Sequence, residues 1–150
     1  MAEDTILNLM VNHHVLLEAL FSLFKDEARE KSPRARASFD EFTWELKKHF
    51  FVEENAIFDF IPLKDFGVFE LINHLKDEHL AMLIDLNKIS DRLPEIKDED
   101  LENFFKLLSH HREEEDKDLY PKLDKEMRDD QKKEVILRIN QVPMGAKNIK

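Results

Sequence analysis

Apolar residues recur along most of this chain at the three-and-four spacing of an amphipathic helix. In the first segment Ile6, Leu9, Met10, Leu16, Leu17, Leu20, Phe21 and Phe24 form one stripe. They predict a helix from about Thr5 to Ala28, with Asp4 as its cap. The basic link REKSPRARA follows, and Ser32 before Pro33 reads as a cap and a first-turn proline. A second helix then runs to about Phe60 and stops at Pro62, with PLKDFG as the turn. A third spans about Phe66 to Leu93, ahead of Pro94. A fourth, capped by Asp98 or Asp100, continues to about Met127 and bends near Pro121. DDQKKEVILRIN reads as a short fifth helix, and Pro143, Gly145 and AKNIK as a tail. Four long helices on short links predict an all-α, up-down-up-down four-helix bundle with a short C-terminal fifth helix. One domain is expected over residues 1–150, with the bundle at about 5–127 and the short helix and tail at 128–150.

Composition narrows the picture. Two glycines in 150 residues are too few for the tight turns of a β fold, and too few for a Rossmann fingerprint or a P-loop. Apolar residues make up 42% and charged residues 37%, enough for a core inside a well-solvated surface. The net charge of −10 argues against nucleic acid and anionic membrane as partners, since both call for a basic face. The chain has no cysteine, which excludes disulfides, thiolate zinc or iron–sulfur ligation and thiol catalysis, and fits a cytoplasmic location. No leader is visible, and no apolar run is expected to reach membrane-spanning length.

Two segments break the apolar pattern: HFFVEENAIF, His49 to Phe58, and HREEEDKDLY, His111 to Tyr120. Laid over each other they match His49 with His111, Glu53 with Glu115, Glu54 with Asp116 and Phe58 with Tyr120. A helix stacks residues i and i+4 on one face, so each histidine stands beside its glutamate. Counted from the helix ends that an up-down bundle gathers at one pole, His14, His49, His79 and His111 all lie roughly 15–22 Å deep at ~1.5 Å per residue. One histidine per helix at one level is the geometry of a metal site. Buried carboxylates are costly unless paired or coordinated, and two hard cations would neutralise them. Imidazole and carboxylate suit iron, although ligand type alone also admits zinc and manganese. The ferritin-like Glu-x-x-His signature and the zincin H-E-x-x-H are both absent.

The motifs NHHVLLEALFSLF, HFFVEENAIF, EHLAML and HREEEDKDLYPKL, in that order on four helices, resemble the hemerythrin-like, or HHE cation-binding, domain over roughly residues 5 to 127. The resemblance implies a bundle around two iron ions, oxo- or hydroxo-bridged. Carried over, it makes His14, His49, Glu53, His79, His111 and Glu115 the ligands, with Glu53 and Glu115 bridging. Oxygen carriers of the family place two histidines four apart on the third helix. Here His74 and His79 are five apart and point some ~140° away from each other, so His74 is not taken as a ligand. Each iron then keeps an open position. This resembles the branch associated with nitric oxide, peroxide, iron-centre repair and sensing more than oxygen transport.

Neighbours compete for several places. His13 stands beside His14, His110 beside His111, and Asp116 beside Glu115, so these three are the alternates. Tyr120, Glu54 and His74 are assigned to the surroundings of the ligands, and Glu113 and Glu114 to the solvated face or the same surroundings. The phenylalanines read as core. A subsidiary reading has Phe50, Phe51, Phe58 and Phe105 keeping the site dry. The function expected is non-haem di-iron binding, with oxygen, nitric oxide or peroxide as the small ligand, or iron handling; the redox partner is not specified. The alternatives are a di-iron enzyme turning over peroxide or nitric oxide, or an iron-centre repair protein. Binding is favoured over catalysis.

Overall fold

The structure, a computed structural model, describes residues 5–60, 66–93 and 95–143. The expected cap Asp4, the stop at Pro62, most of the PLKDFG turn, Pro94 and residues 144–150 lie outside the described residues. Within them the chain is helical, with no strand. Helix α1 spans Ile6–Arg29 and α2 spans Ala35–Val52. A π turn, Glu53–Ile57, and a 3-10 turn, Phe58–Phe60, extend α2. Helix α3 spans Phe66–Arg92. Helix α4, Asp98–Glu114, passes through a second π turn, Glu115–Leu119, into α5, Tyr120–Glu126. Helix α6, Asp129–Asn140, falls where the short fifth helix was expected.

Three helix starts differ from expectation. At α1 the cap is Thr5, whose hydroxyl accepts the Asn8 N–H at 3.0 Å. The Asp124 carboxylate, brought in from α5, accepts the N–H groups of Ile6 and Leu7, both at 3.0 Å. Three of the four orphan donors of that first turn are thereby satisfied. Helix α2 begins at Ala35, because Ser32 caps only a preliminary turn: its hydroxyl accepts the Arg34 N–H at 3.2 Å. Lys31 ahead of it adopts a left-handed φ of 53° that turns the chain. In α4, Asp98 and Asp100 are not caps. They sit with Glu99 inside the first turn, where negative charge complements the helix dipole.

Two apolar cores divide the bundle. One gathers Ile6, Met10, Val52, Leu75, Leu119 and Val135; the other gathers Leu17, Phe21, Leu46, Phe50, Met82 and Leu108. The first explains α6, whose Val135 and Ile139 are buried in it. On every long helix the histidines stand at the boundary between the cores. His13 and His14 follow Met10 and precede Leu17, His49 lies between Leu46 and Val52, His79 lies between Leu75 and Met82, and His111 lies between Leu108 and Leu119. Along α1 and α3 the chain meets the first core and then the second; along α2 and α4 the order is reversed.

By length and hydropathy alone α1 reaches the range of a membrane span, with a mean hydropathy of 1.4 in its most apolar stretch. This corrects the expectation that no run would do so. The reason is that α1 carries apolar residues on both faces: Ile6, Met10 and Leu17 are buried, while Val15 and Leu23 are exposed.

Candidate metal centre

At the boundary between the cores, six side chains converge. His14, His49, Glu53, His79, His111 and Glu115 are each at most 5% exposed. They form two donor groups. His14, His49, Glu53 and Glu115 offer ligand atoms within 4.8 Å of one another, and so do Glu53, His79, His111 and Glu115. The two groups share both carboxylates. Glu115 reaches one with each oxygen: Oε1 lies 3.1 Å from His14 Nε2, and Oε2 lies 3.3 Å from His111 Nε2. Glu53 turns a single oxygen to both, Oε1 being 3.1 Å from His49 Nε2 and 3.2 Å from His79 Nε2.

The π turns help set this geometry. Five residues along an α-helix rotate a side chain by about 500°, leaving it some 140° from where it began. A π turn closes its hydrogen bond at i+5 instead. Here the Phe58 N–H donates to the Glu53 carbonyl, and the Tyr120 N–H donates to the Glu115 carbonyl. Phe58 and Tyr120 are thus carried over the glutamate that precedes each of them. Tyr120, wholly buried, donates its hydroxyl hydrogen bond to Glu53 Oε2. Phe58 lies with its ring 6.1 Å from that of His79, and Phe50 stacks on the same imidazole at 3.9 Å. Of the other two phenylalanines expected to dry the site, Phe51 is 58% exposed and Phe105 packs on Phe21 in the second core. Their places on α2 and α4 face away from the donors.

Each ligand-type imidazole uses its second nitrogen. His14 Nδ1 donates to Asp116 at 3.0 Å, His79 Nδ1 to Glu54 at 2.9 Å, and His111 Nδ1 to Glu78 at 2.8 Å. A carboxylate in this place fixes the ring and raises its basicity. His49 is the exception: its Nδ1 meets His13 Nδ1 at 3.1 Å. Asp116 thus stands behind a histidine while Glu115 is in the cluster, and His13 stands behind His49 while His14 is in the cluster. His110 is 65% exposed and pairs with Glu114, outside the cluster. His74, also exposed, touches Glu78 and Glu114, one contact removed from His111. Glu78 was not singled out by the sequence reading, although its place directly before His79 was a usable signal.

Protons balance the charge in the metal-free protein. Burial opposes a charged His14, but hydrogen bonds to Asp116 and Glu115 outweigh it and raise its pKa to about 9. His111 is raised well above its ordinary value, the charge of Glu115 overcoming burial, and His79 is raised through Glu53 against the same opposition. Burial pushes Glu53 upward, yet the pull of His49 leads a larger set of effects that holds it well below the carboxylate range. Burial, then the charges of Glu115 and Glu53, keep Tyr120 protonated far above its usual range. His13 is lowered to about 3, first by burial and then by His49, and is neutral.

Protons do not satisfy every atom. His49 Nε2, Glu53 Oε1 and Glu115 Oε2 are sealed from solvent and, close as they lie to their neighbours, make no well-directed hydrogen bond. Unmatched buried atoms of this kind cost ~1–3 kcal/mol each, and more when charged. With His79 Nδ1 donating to Glu54 and His111 Nδ1 to Glu78, neutral rings aim two Nε2 lone pairs at each other across 3.1 Å. Convergent lone pairs and anionic oxygens are what a cation would satisfy, and the donor set fits one.

Searches of curated proteins and of solved structures found no match to this chain. A family model, hemerythrin HHE cation binding domain, matches residues 5–123. The chain belongs to the hemerythrin HHE cation-binding domain family, and its buried histidines and glutamates lie within the matched region.

Proposed function

We propose that the chain holds two iron ions and serves to bind or sense a small ligand, oxygen, nitric oxide or peroxide. His14 and His49 would hold one ion, His79 and His111 the other, and Glu53 and Glu115 both. The observation that carries this reading is that the two donor groups share both carboxylates. A single-ion site would have no need of a second pair of imidazoles on the far side of the same two glutamates. Carboxylate bridges of this type favour two hard or borderline ions a few ångströms apart.

When bound, the iron supplies a redox-active Lewis acid for the ligand. The rest is the work of the chain. Glu54, Glu78 and Asp116 hold three rings at fixed angles, Phe50 and Phe58 cover His79, and Tyr120 orients Glu53. The reading takes α1 to α4 to run alternately up and down within one domain. The alternating order in which the helices meet the two cores supports it. The cysteine-free sequence is in keeping with work in a cytoplasm.

Elemental analysis tests the proposal. The purified chain should carry two irons, and His49→Ala or Glu53→Ala should lower that number. A ferric absorption band that changes with dithionite, oxygen or nitric oxide is expected. Unchanged iron content in both variants would sink the assignment.

A further inference from the structure

The His-x3-Glu spacing that builds the buried centre recurs at the surface, one step out. His74 and Glu78 on α3, and His110 and Glu114 on α4, are both i, i+4 pairs, and the two face each other. His74 Nε2 lies 2.9 Å from Glu114 Oε2 and 3.4 Å from Glu78 Oε2, and His110 Nε2 lies 3.2 Å from Glu114 Oε1. One ligand atom from each of His74, Glu78 and Glu114 fits within 4.8 Å. The histidines are 54% and 65% exposed, whereas the carboxylates are only 12% and 16% exposed. Glu114 Oε1 is sealed from solvent and makes no well-directed hydrogen bond, although His110 is its neighbour. Two glutamates side by side repel each other, and salt links to exposed histidines contribute little to stability.

We propose that His74, Glu78 and Glu114, with His110 at the rim, form an outer site for a divalent cation that gathers iron(II) for the buried centre. Imidazole and carboxylate together suit borderline divalent ions. The position suits delivery. Glu78 binds the outer group with Oε2 and His111 Nδ1 with Oε1 at 2.8 Å, so one carboxylate belongs to both sites. A cation there meets solvent on the histidine side and the buried donors on the other. The chain's charge of −10 adds a general attraction for cations, which the cluster would focus.

The delivery role rests on the buried-iron reading; the outer site itself does not, and cobalt(II) separates the two. In a Glu53→Gln/Glu115→Gln chain, which lacks the shared carboxylates, one cobalt(II) per chain should still bind with the visible absorption of a histidine-containing site. Adding His74→Ala should abolish it. The wild-type chain already loaded with iron offers the same titration without disturbing the core. Absence of cobalt binding in both backgrounds overturns the outer site, whereas a wild-type chain that takes up no iron overturns only the buried centre. For delivery, His74→Ala/His110→Ala in the wild-type chain should slow iron(II) uptake about tenfold at low micromolar iron, the lower end of what a focusing charge cluster gives, and leave the final iron content unchanged. An unchanged uptake rate overturns delivery.

Discussion

His14 and His49, on α1 and α2, meet the same two glutamates as His79 and His111, on α3 and α4, but the groups behind the two pairs of rings differ. Behind His79 and His111 stand two carboxylates, Glu54 and Glu78. Behind His14 stands one, Asp116, and behind His49 stands His13, buried and neutral. An imidazole whose far N–H meets an anion is the stronger donor. The half built on α3 and α4 should therefore grip its cation harder, with His49 the weakest of the four imidazoles. Equal inner donors, on this view, make an unequal pair of sites, and the inequality is set by residues that touch no metal.

The largest effect should come from the carboxylates that join the halves. Glu115 divides its oxygens between His14 and His111, so Glu115→Ala should bring iron content close to zero. His49→Ala should remove about one iron and His111→Ala more than one, because losing the stronger half also weakens the shared bridge. Metal analysis after identical purification checks this ordering. If all three variants retain the same iron, the halves are not linked through Glu115.

Next in size is the response to pH. His14 is held protonated up to about 9 in the metal-free protein, and His111 and His79 are also raised. Metal must displace those protons, so binding at neutral pH should release protons, and affinity should climb as pH rises from 6.5 toward 9. The stability of the metal-free chain should move the other way. A histidine with a folded pKa above its unfolded value adds stability that is complete below about 6.5 and is lost as pH rises through about 9. His13 acts at the acid side: lowered to about 3, it favours the fold above about 6.5, and that benefit fades as pH falls toward 3. Melting curves of the metal-free chain should therefore drop between pH 7 and 10, and those of the iron-loaded chain should hold. A metal-free chain that melts at the same temperature across that range would contradict the proton-filled cluster.

Much of the inner cluster could be read from the sequence because helical geometry converts spacing directly into position. Counting from helix ends put His14, His49, His79 and His111 at one level, and the same four separate the two cores in the structure. The outer partners were harder. Glu78 lies on α3 and serves His111 on α4, and a single chain shows which face a residue takes but not what faces it from the next helix. His13 and His14 are adjacent and both buried, so periodicity could not rank them. The π turns were invisible for a similar reason: Glu53–Ile57 and Glu115–Leu119 have no composition that an α-helix would refuse. Pro121 predicts a bend, yet the place matching it after the first π turn is Asp59. What the two turns share is the glutamate at their start.

The outer groups allow a finer test of the inequality. Glu54→Gln and Asp116→Asn each remove one charge behind one ring and keep the shape. Each should weaken iron binding by roughly 10-fold or more, the lower end for such partners. Glu54→Gln should act on the tighter half and Asp116→Asn on the looser one, so competition with a chelator should show the slow phase changing in the first and the fast phase in the second. His13→Gln should change either phase by less, since no charge is lost there. Equal effects from all three would mean that ring orientation, and not charge, is what these neighbours supply.

The smallest effect belongs to Tyr120. Its hydroxyl donates to Oε2 of Glu53, whose other oxygen makes no well-directed hydrogen bond. Tyr120→Phe leaves the ring in the core and strips Glu53 of that donor. Hydrogen bonds to charged groups contribute about 1.5–3 kcal/mol. In the metal-free chain that loss should lower the melting temperature by about 5 °C, since a chain of this size shifts roughly 2–4 °C per kcal/mol. In an iron-loaded chain the cation would already satisfy Glu53, so the shift should be smaller and the iron content unchanged. Phe58 occupies the matching place after the first π turn and carries no hydroxyl, so Glu115 has no donor of this kind from it. The variant would therefore make the two segments alike at this position. Loss of iron from Tyr120→Phe would show that the hydroxyl holds Glu53 in its binding pose even when metal is present.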